Sequence, residues 1–368
     1  MKNSDRIPVI DFLRGLSCLG VLLYHVRVDL WVGWWRITSY PEEYSSFAKA
    51  MAWLSIPTPF MGYAVVLFFL ISGFCIHYPN ANGNVRPNWK TYLKRRFWRI
   101  YPTYLIAILF TSIISYYCHV RWDDNTWDLE RVLRVSTISQ NYPPESGQFL
   151  SNPSLWTIPL EIEFYVLYPI AFFFLLKFGF LKLFLLSFAI SGIGLFLSEQ
   201  GMQWISFTAA FLWPSWLLGS WVSYAHRKNI LVQIKNILIY PIFILFLILA
   251  LTSRLQNWES WIQYFYWTGF YCFLFMVLLR SKSLFKIKDK LIFRSLAWLG
   301  RISFSLYLIH FPLFKLFGYF HCEFYGEKPA NFLVTLLYII PAIFVAWLFF
   351  KFIEHPIHKW SKNKKGSS

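Results

Sequence analysis

Three ionisable residues, Asp11, Arg14 and His25, stand within the first apolar stretch of the chain. An ionisable side chain in hydrocarbon costs about 3 kcal/mol or more unless it is paired or hydrated, and it often marks a functional site. Arg14 and His25 are eleven residues apart, about three helical turns, so both face one side of a helix, ~16 Å apart along its axis. A lone membrane histidine more often makes an interhelical hydrogen bond, but the aligned pair favours a function in chemistry.

A carboxylate is predicted at a depth similar to that of His25. Glu161 lies about one turn beyond Trp156, an interfacial residue type, and it shares a helix face with Tyr165. Glu163 is rotated by about 200° from Glu161, so the two carboxylates cannot face one site on a regular helix. We therefore predict a functional role for Glu161 and a structural one for Glu163.

A second histidine is predicted at the same depth. Ser303, Tyr307 and His310 lie on one face of a later apolar helix, and His310 reaches its outer half. Two histidines and the carboxylate of Glu161 would then converge, and such a group suits general acid–base catalysis. The histidine spacing typical of zinc sites is absent, so no metal is expected.

A pair of arginines follows a different pattern. Arg96 and Arg99 are three residues apart where the third apolar segment begins. Their guanidinium forks suit a phosphate group, which each can bind through two hydrogen bonds. Topogenic positive charge or lipid headgroup binding explains the same pair equally well.

The elements that must position these residues are membrane helices. Of the 368 residues, 57% are apolar and only 14% are charged, against about 25% in soluble domains. The apolar residues form blocks of roughly 20, the length that crosses a bilayer. We predict an all-α polytopic membrane helical bundle with ten spans, at about 8–30, 60–79, 100–119, 156–178, 181–198, 204–225, 236–253, 260–279, 296–319 and 331–352.

The net charge of +17 is a topology signal. Most Lys and Arg residues lie in the even-numbered connections and at the two termini, which places both termini in the cytoplasm. Because no basic stripe lies outside these segments, nucleic-acid binding is not expected. We predict one membrane domain over residues 1–360 and a polar tail at 361–368. Asn125 is predicted to cap a short amphipathic helix along the membrane surface, and no disulfide is expected between Cys118 and Cys322.

Five segments together resemble the acyltransferase family 3 membrane proteins, which include bacterial O-antigen acetylases. The segments are Ile10-Asp11-Phe12-Leu13-Arg14-Gly15 with His25; Phe68 to Phe74; Arg96-x-x-Arg99 with Tyr101-Pro102; Leu155-Trp156 with Glu161 and Phe164-Tyr165; and Gly300 with Ser303, Leu306 to Leu308 and His310. The closing Glu354-His355-Pro356 is similar to the Glu-x-Pro at the end of the family domain. The chain departs from the usual pattern at Pro159-Leu160 and at Glu163.

The resemblance implies ten spans in the bacterial inner membrane and a cytoplasmic acyl-CoA donor, acetyl-CoA by default. It also implies an acceptor hydroxyl on a glycan or lipid-linked sugar. The family's functional residues carry over as Arg14, His25, Arg96, Arg99 and Glu161. Many members carry a further C-terminal domain, which we expect this chain to lack.

The hypothesis that joins residues and resemblance is a donor passage through the bundle. Arg96 and Arg99, with Arg14, would hold the CoA phosphates, and one continuous passage would bring the thioester to His25. His25, oriented by Glu161 or a tyrosine, would deprotonate the acceptor hydroxyl. Further contacts to the acceptor are predicted from Asp11, Trp156, Tyr165, Tyr307 and Ser303.

Two other classes of function remain open at this point. A transporter or flippase would use the intramembrane Arg, His and Glu residues as a proton relay, although the sequence lacks an inverted repeat. A non-catalytic scaffold of an envelope complex would need no phosphate-binding arginines.

Overall fold

The computed structural model describes residues 7–82, 87–143, 149, 151–281 and 289–363, and every regular element in these ranges is helical. The α-helices are α1 (Pro8–Asp29), α2 (Trp34–Ser39), α3 (Ser46–Ala52), α4 (Ala64–His77), α5 (Trp89–Trp122), α6 (Leu129–Ser136), α7 (Thr157–Glu199), α8 (Ala209–Arg227), α9 (Ile230–Gln233), α10 (Asn236–Leu255), α11 (Ser260–Arg280), α12 (Leu291–Tyr325), α13 (Phe332–Leu337), α14 (Ile339–Phe349) and α15 (His355–Asn363). Short 3₁₀ segments include Thr58–Tyr63 and Pro153–Trp156, and a π-helical turn covers Phe350–Glu354.

Within the described ranges, eight helical segments are long and apolar enough to cross a membrane. They are Pro8–Asp29, Ser46–Asn80, Trp89–Trp122, Pro153–Glu199, Asn236–Leu255, Ser260–Arg280, Leu291–Tyr325 and Phe332–Ser361. The predicted class, an all-α multi-pass membrane bundle, is therefore confirmed. The count of ten spans and the cytoplasmic position of both termini stay predictions.

Two details bear on the difference between eight and ten. The long segment Pro153–Glu199 is interrupted at Gly179, whose φ of 79° lies outside the helical region. This break falls at the predicted boundary between the fourth and fifth spans. Helix α8, with 19 residues, lies where the sixth span is predicted but is not among the eight segments.

Helices α1 and α12 approach each other closely, and two glycines make this approach possible. A Cβ atom on Gly15 would overlap the backbone oxygen of Leu296, and one on Gly300 would overlap that of Asp11. Small residues allow membrane helices to pack backbone to backbone. The contact fixes the register in which the polar residues of α1 face those of α12.

Helices α4 and α8 form a second contact of the same kind. A Cβ atom on Gly73 would overlap the backbone oxygen of Trp216, and one on Gly219 would overlap that of Leu70. As a result, the indole N–H of Trp216 donates to Ser72 Oγ over 3.2 Å.

The long connection between α5 and α7 is held to the bundle by side-chain hydrogen bonds. Asn152 Nδ2 donates to the carbonyl of Leu308 over 2.8 Å.

The predicted short amphipathic helix is present as α6, but its cap is Asp128, whose carboxylate accepts from the Glu130 N–H. The assignment of the cap to Asn125 was wrong, because Trp127 and Asp128 remain outside the helix. Cys118 and Cys322 are both free. Residues 364–368 of the predicted tail lie outside the described residues.

Candidate active site

The two predicted histidines meet across the α1–α12 contact. His25 Nδ1 lies 2.7 Å from His310 Nε2, and the two rings are nearly parallel, with an angle of 16° between their planes. His310 is fully buried, whereas His25 is only partly so. The rings of Tyr24 and Phe311 pack against His25 at 5.3 and 5.4 Å.

The hydrogen bonds of this histidine pair define its protons. His310 Nδ1 lies 3.0 and 2.9 Å from the carbonyl oxygens of Leu306 and Tyr307, which only accept hydrogen bonds, so Nδ1 carries the hydrogen. In neutral His310, Nε2 is then an acceptor, and His25 Nδ1 must donate to it. Neutral His25 therefore has its free lone pair on Nε2, the form that a general base requires.

A separate cavity of about 150 Å³ lies further along α1 and α12. Its polar lining includes seven of the predicted site residues, and apolar side chains such as Val65, Phe68 and Phe69 complete it. The seven are Arg14, Arg96, Arg99, Glu161, Tyr165, Ser303 and Tyr307. We call this space the arginine cavity. Arg14 shares the cavity lining with Ser303 and Tyr307 of α12, and His25 contacts His310 of the same helix, so both residues of α1 face α12.

Glu161 belongs to the arginine cavity and not to the histidine pair. Its Oε1 accepts from Ser72 Oγ over 2.6 Å and from the Tyr165 hydroxyl. The prediction that Glu161 orients His25 is therefore not what the structure shows, because His310 occupies the Nδ1 side of that ring. A similar predicted depth in the membrane does not imply contact, since Glu161 is bonded to Ser72 and Tyr165 instead.

Arg96 is the cavity arginine that has a buried N–H group without a hydrogen-bond partner among the described residues. Its guanidinium lies over the rings of Tyr92 and Tyr165, at 5.6 and 5.4 Å from their centres. Its Nε and the hydroxyl of Tyr92 are buried, and neither has a hydrogen-bond partner among the described residues. A buried donor without an acceptor costs roughly 1–3 kcal/mol, so an anionic group in the cavity would relieve a real penalty.

Glu354 is a second carboxylate of the arginine cavity that the sequence-based site did not include. Its Oε2 accepts from the backbone N–H and the hydroxyl of Ser305, over 3.1 and 2.5 Å. The residue ends the π-helical turn Phe350–Glu354, and such turns are frequent at functional sites. The similarity of the closing Glu354-His355-Pro356 to the family's terminal Glu-x-Pro was the available signal.

Tyr307 separates the arginine cavity from the histidine pair. Its ring lines the cavity and lies 5.9 Å from the ring of His310. Its hydroxyl donates to the Ser154 carbonyl over 2.6 Å and accepts from Thr157 Oγ1 over 2.7 Å. The predicted continuous passage is therefore closed in this structure, because neither histidine lines the cavity.

The remaining predicted residues lie outside the cavity lining. Asp11 is not among its residues, and Trp156 packs its ring against Phe69 and Phe207.

Glu163 accepts from the hydroxyl of Tyr142 and, over 2.5 Å, from the Ala209 N–H, the structural arrangement predicted for it. Burial, with a further contribution from Glu163, raises the pKa of Tyr142, which keeps its hydroxyl a donor. The described residues contain no group of three metal-ligating side chains.

The histidine pair and the arginine cavity lie within one membrane helix bundle, and this arrangement agrees with the family comparison. The chain belongs to the family described as acyltransferase domain, which matches residues 7–351. This membership favours acyl transfer over the transporter and scaffold alternatives.

Two similar proteins carry more specific names. O-acetyltransferase OatA of Staphylococcus aureus is 25% identical over 397 aligned residues, covering 98% of this chain and 58% of the relative. Peptidoglycan O-acetyltransferase OatA of Listeria monocytogenes is 24% identical, with 98% and 58% covered. The chain thus spans a little over half the length of these relatives. No solved structure matches it.

Proposed function

We propose that this protein is a membrane O-acetyltransferase of the bacterial inner membrane. It moves an acetyl group from cytoplasmic acetyl-CoA to a hydroxyl of an envelope glycan or lipid-linked sugar. The observation that carries the proposal is the histidine pair, in which His310 leaves His25 Nε2 free to accept a proton.

In the proposed reaction, His25 Nε2 removes the proton from the acceptor hydroxyl while its oxygen attacks the thioester carbonyl carbon. The carbon–sulfur bond breaks, the acetyl group forms an ester with the acceptor oxygen, and CoA leaves as the thiolate. The proton on His25 then passes to that thiolate, which restores neutral His25. A positioned base of this kind contributes typically about 10²- to 10⁴-fold to rate.

The arginine cavity supports the donor side of the proposal. Arg14, Arg96 and Arg99 bring three positive charges to a space that also holds Glu161 and Glu354. The orphaned Arg96 Nε and the exposed position of Arg99 suit a CoA phosphate held at the cytoplasmic end, with the pantetheine arm in the cavity.

Transfer requires that the thioester pass Tyr307. Its hydroxyl is held by Ser154 and Thr157. Tyr307 therefore forms part of the barrier between the arginine cavity and the histidine pair, and its movement is required for the thioester to pass.

His25→Ala tests the proposal. We expect acetyl transfer from labelled acetyl-CoA to glycan in membrane vesicles to fall by about 10³-fold, the loss expected for a general base. Calorimetric binding of CoA to the purified protein should be unchanged, because His25 does not line the arginine cavity.

The matched control is His226→Gln, which removes a histidine that packs on Phe74 and Tyr78 in α4 and the turn after it. This variant should keep transfer within about twofold, because His226 is only partly buried and does not line the arginine cavity. Retention of transfer by His25→Ala, or equal loss in both variants, would remove His25 from the chemistry.

A further inference from the structure

A cluster of aromatic and arginine side chains adjoins the histidine pair through Tyr24, and none of its members lines the arginine cavity. It contains Tyr24, Arg27, Tyr63, Arg254, Tyr264 and Trp267, which come from α1, the Thr58–Tyr63 segment, α10 and α11. We call it the outer cluster. The predicted topology puts it at the outer leaflet, where an acceptor would approach.

The rings of the outer cluster are packed in a fixed arrangement. Tyr63 stacks on Trp267, with ring centres 5.3 Å apart and planes at 3°, and meets Tyr264 edge-on at 5.3 Å. The hydroxyl of Tyr63 donates to Gln263 Oε1, and Gln263 Nε2 donates to the Trp258 carbonyl over 2.6 Å. Trp267 is buried behind Tyr63, but Tyr24, Tyr63 and Tyr264 are partly exposed, and such rings can stack against the apolar face of a sugar.

Two arginines of the cluster lie near each other without a carboxylate to neutralise them. Arg254 lies within electrostatic range of both Arg27 and Tyr63. No salt bridge joins either arginine to an acid in the part of the chain that the structure describes. Because the positive-inside rule disfavours basic residues at the outer face, topology does not explain their presence there.

Two donors of the cluster are also without partners. Arg27 Nε and the indole Nε1 of Trp267 are buried, and neither makes a hydrogen bond among the described residues. The Trp267 side chain is only 4% exposed, so solvent does not compensate for the missing bond. Unpaired buried donors of this kind favour a ligand that brings acceptor oxygens.

Tyr24 connects the outer cluster to the proposed base. Its ring lies 5.3 Å from that of His25, and it packs on Gly62, where an added Cβ would approach it to 3.2 Å. Tyr24 and Arg27 are three residues apart and so share a face of α1. A ligand held by Arg27 therefore lies next to the histidine pair.

We propose that the outer cluster is the acceptor subsite and that it selects a sugar carrying an anionic group, a carboxylate or a phosphate. This inference rests on the proposed function, since it names the substrate class of the same site. The aromatic rings hold the sugar, and Arg27 and Arg254 hold the anion through charge-assisted hydrogen bonds.

Binding to the purified protein without donor tests this subsite apart from catalysis. Three sugars serve as probes in saturation-transfer NMR: neutral N-acetylglucosamine, N-acetylmuramic acid with its carboxylate, and N-acetylglucosamine 1-phosphate. We expect at least one charged sugar to bind about tenfold more tightly than the neutral one, the value of one hydrogen bond to a charged group. The tighter of the two identifies the anion as carboxylate or phosphate.

Variants then assign the preference to the cluster. Arg27→Gln and Arg254→Gln should each weaken the charged sugar by about tenfold and leave the neutral sugar unchanged. Trp267→Phe, which keeps an aromatic ring against Tyr63 and removes the unpaired N–H, should weaken binding of all three sugars by about threefold to tenfold. Arg121→Gln is the control, since this exposed arginine pairs with Glu323 outside the cluster.

Equal binding of neutral and charged sugars, no binding at all, or an unchanged preference in Arg27→Gln and Arg254→Gln would overturn the inference. Transfer of labelled acetyl from acetyl-CoA is measured separately. Charge-selective binding without any transfer would contradict the proposed function but support the acceptor subsite. Transfer without a preference for charged sugars would support the proposed function but contradict the subsite.

Discussion

The histidine pair and the arginine cavity lie along the same two helices but differ in how completely their polar groups are satisfied. In the histidine pair, both nitrogens of His310 and Nδ1 of His25 have partners, and only one lone pair is left free. In the arginine cavity, Arg96 Nε is buried without a partner, and no salt bridge between its arginines and Glu161 or Glu354 occurs among the described residues. One centre is complete without a ligand, and the other is not.

This difference separates the two tasks of a group-transfer enzyme. A base must be oriented before the substrate arrives, because reorientation during the reaction would add to the barrier. A binding site for a charged acyl donor gains affinity when its own N–H groups stay unpaired until the ligand brings oxygen atoms that accept their hydrogen bonds. The structure therefore favours chemistry at the histidine pair and binding at the arginine cavity.

Gly15→Val should have the largest effect, because it acts on both centres. The new side chain would overlap the backbone of Leu296, so α1 and α12 must separate. A displacement of 1 Å can cost about 10²-fold in rate, and with donor binding also impaired we expect transfer to fall by at least about 10³-fold. Overpacking should also lower the free energy of unfolding by about 1–3 kcal/mol or more, measurable by thermal melting in detergent.

Gly192→Ala is the matched control for that substitution. Gly192 lies within α7, and a Cβ atom there would meet nothing within 4 Å. Transfer should be unchanged, and stability should stay level or rise by up to about 1 kcal/mol. If Gly15→Val kept either acetyl transfer or CoA affinity, the shared dependence of the two centres on one helix contact would be disproved.

His310→Leu should impair the histidine pair and leave the arginine cavity unaffected. His25 would lose the acceptor that holds its tautomer, so kcat should fall by about 100-fold while donor affinity stays constant. His310→Gln should recover part of kcat, because an amide oxygen can accept from His25 Nδ1. His321→Leu, on the same helix but bonded to Tyr338, is the control. Failure of the glutamine variant to exceed the leucine variant would argue that His310 only fills space.

Much of the fold was predictable because a bilayer imposes few alternatives. Apolar blocks of about 20 residues identify most of the membrane helices, and the helical period places Arg14 and His25 on one face. The partner of His25 was less accessible, because it depends on the register between α1 and α12. That register follows from Gly15 and Gly300, and a single sequence does not show which glycines meet.

The arginine cavity was predictable in part. The spacing of Arg96 and Arg99 and the helix face shared by Glu161 and Tyr165 indicate its main groups. Glu354 enters the cavity through a π-helical turn, a local departure from the 3.6-residue period that hydropathy does not reveal. Tyr307 was predicted to contact substrate, but its role as the wall between the two centres depends on Ser154 and Thr157.

Arg96→Gln should affect the arginine cavity alone. Removing its charge should weaken acetyl-CoA binding by about tenfold and raise KM equally, with kcat nearly unchanged. Arg95→Gln is a close control, since Arg95 is the exposed neighbour and does not line the cavity. Calorimetry with CoA and with dephospho-CoA would compare the phosphate groups. If Arg96→Gln and Arg95→Gln bound CoA with equal affinity, both arginines would serve only to set the membrane topology.

Glu354→Gln should give the smallest effect, because an amide keeps the shape and loses only the charge. Its oxygen can still accept from the backbone N–H of Ser305, but more weakly than a carboxylate. We expect the affinity for the acyl donor to fall threefold to fivefold, about 1 kcal/mol, with no change in kcat. Ser305→Ala should produce a change of similar size, and the double variant should be no worse than either single one, since both act on one hydrogen-bonded unit. Additive losses would instead mean that Glu354 contacts the donor directly, which would make the arginine cavity a site where both signs of charge bind ligand.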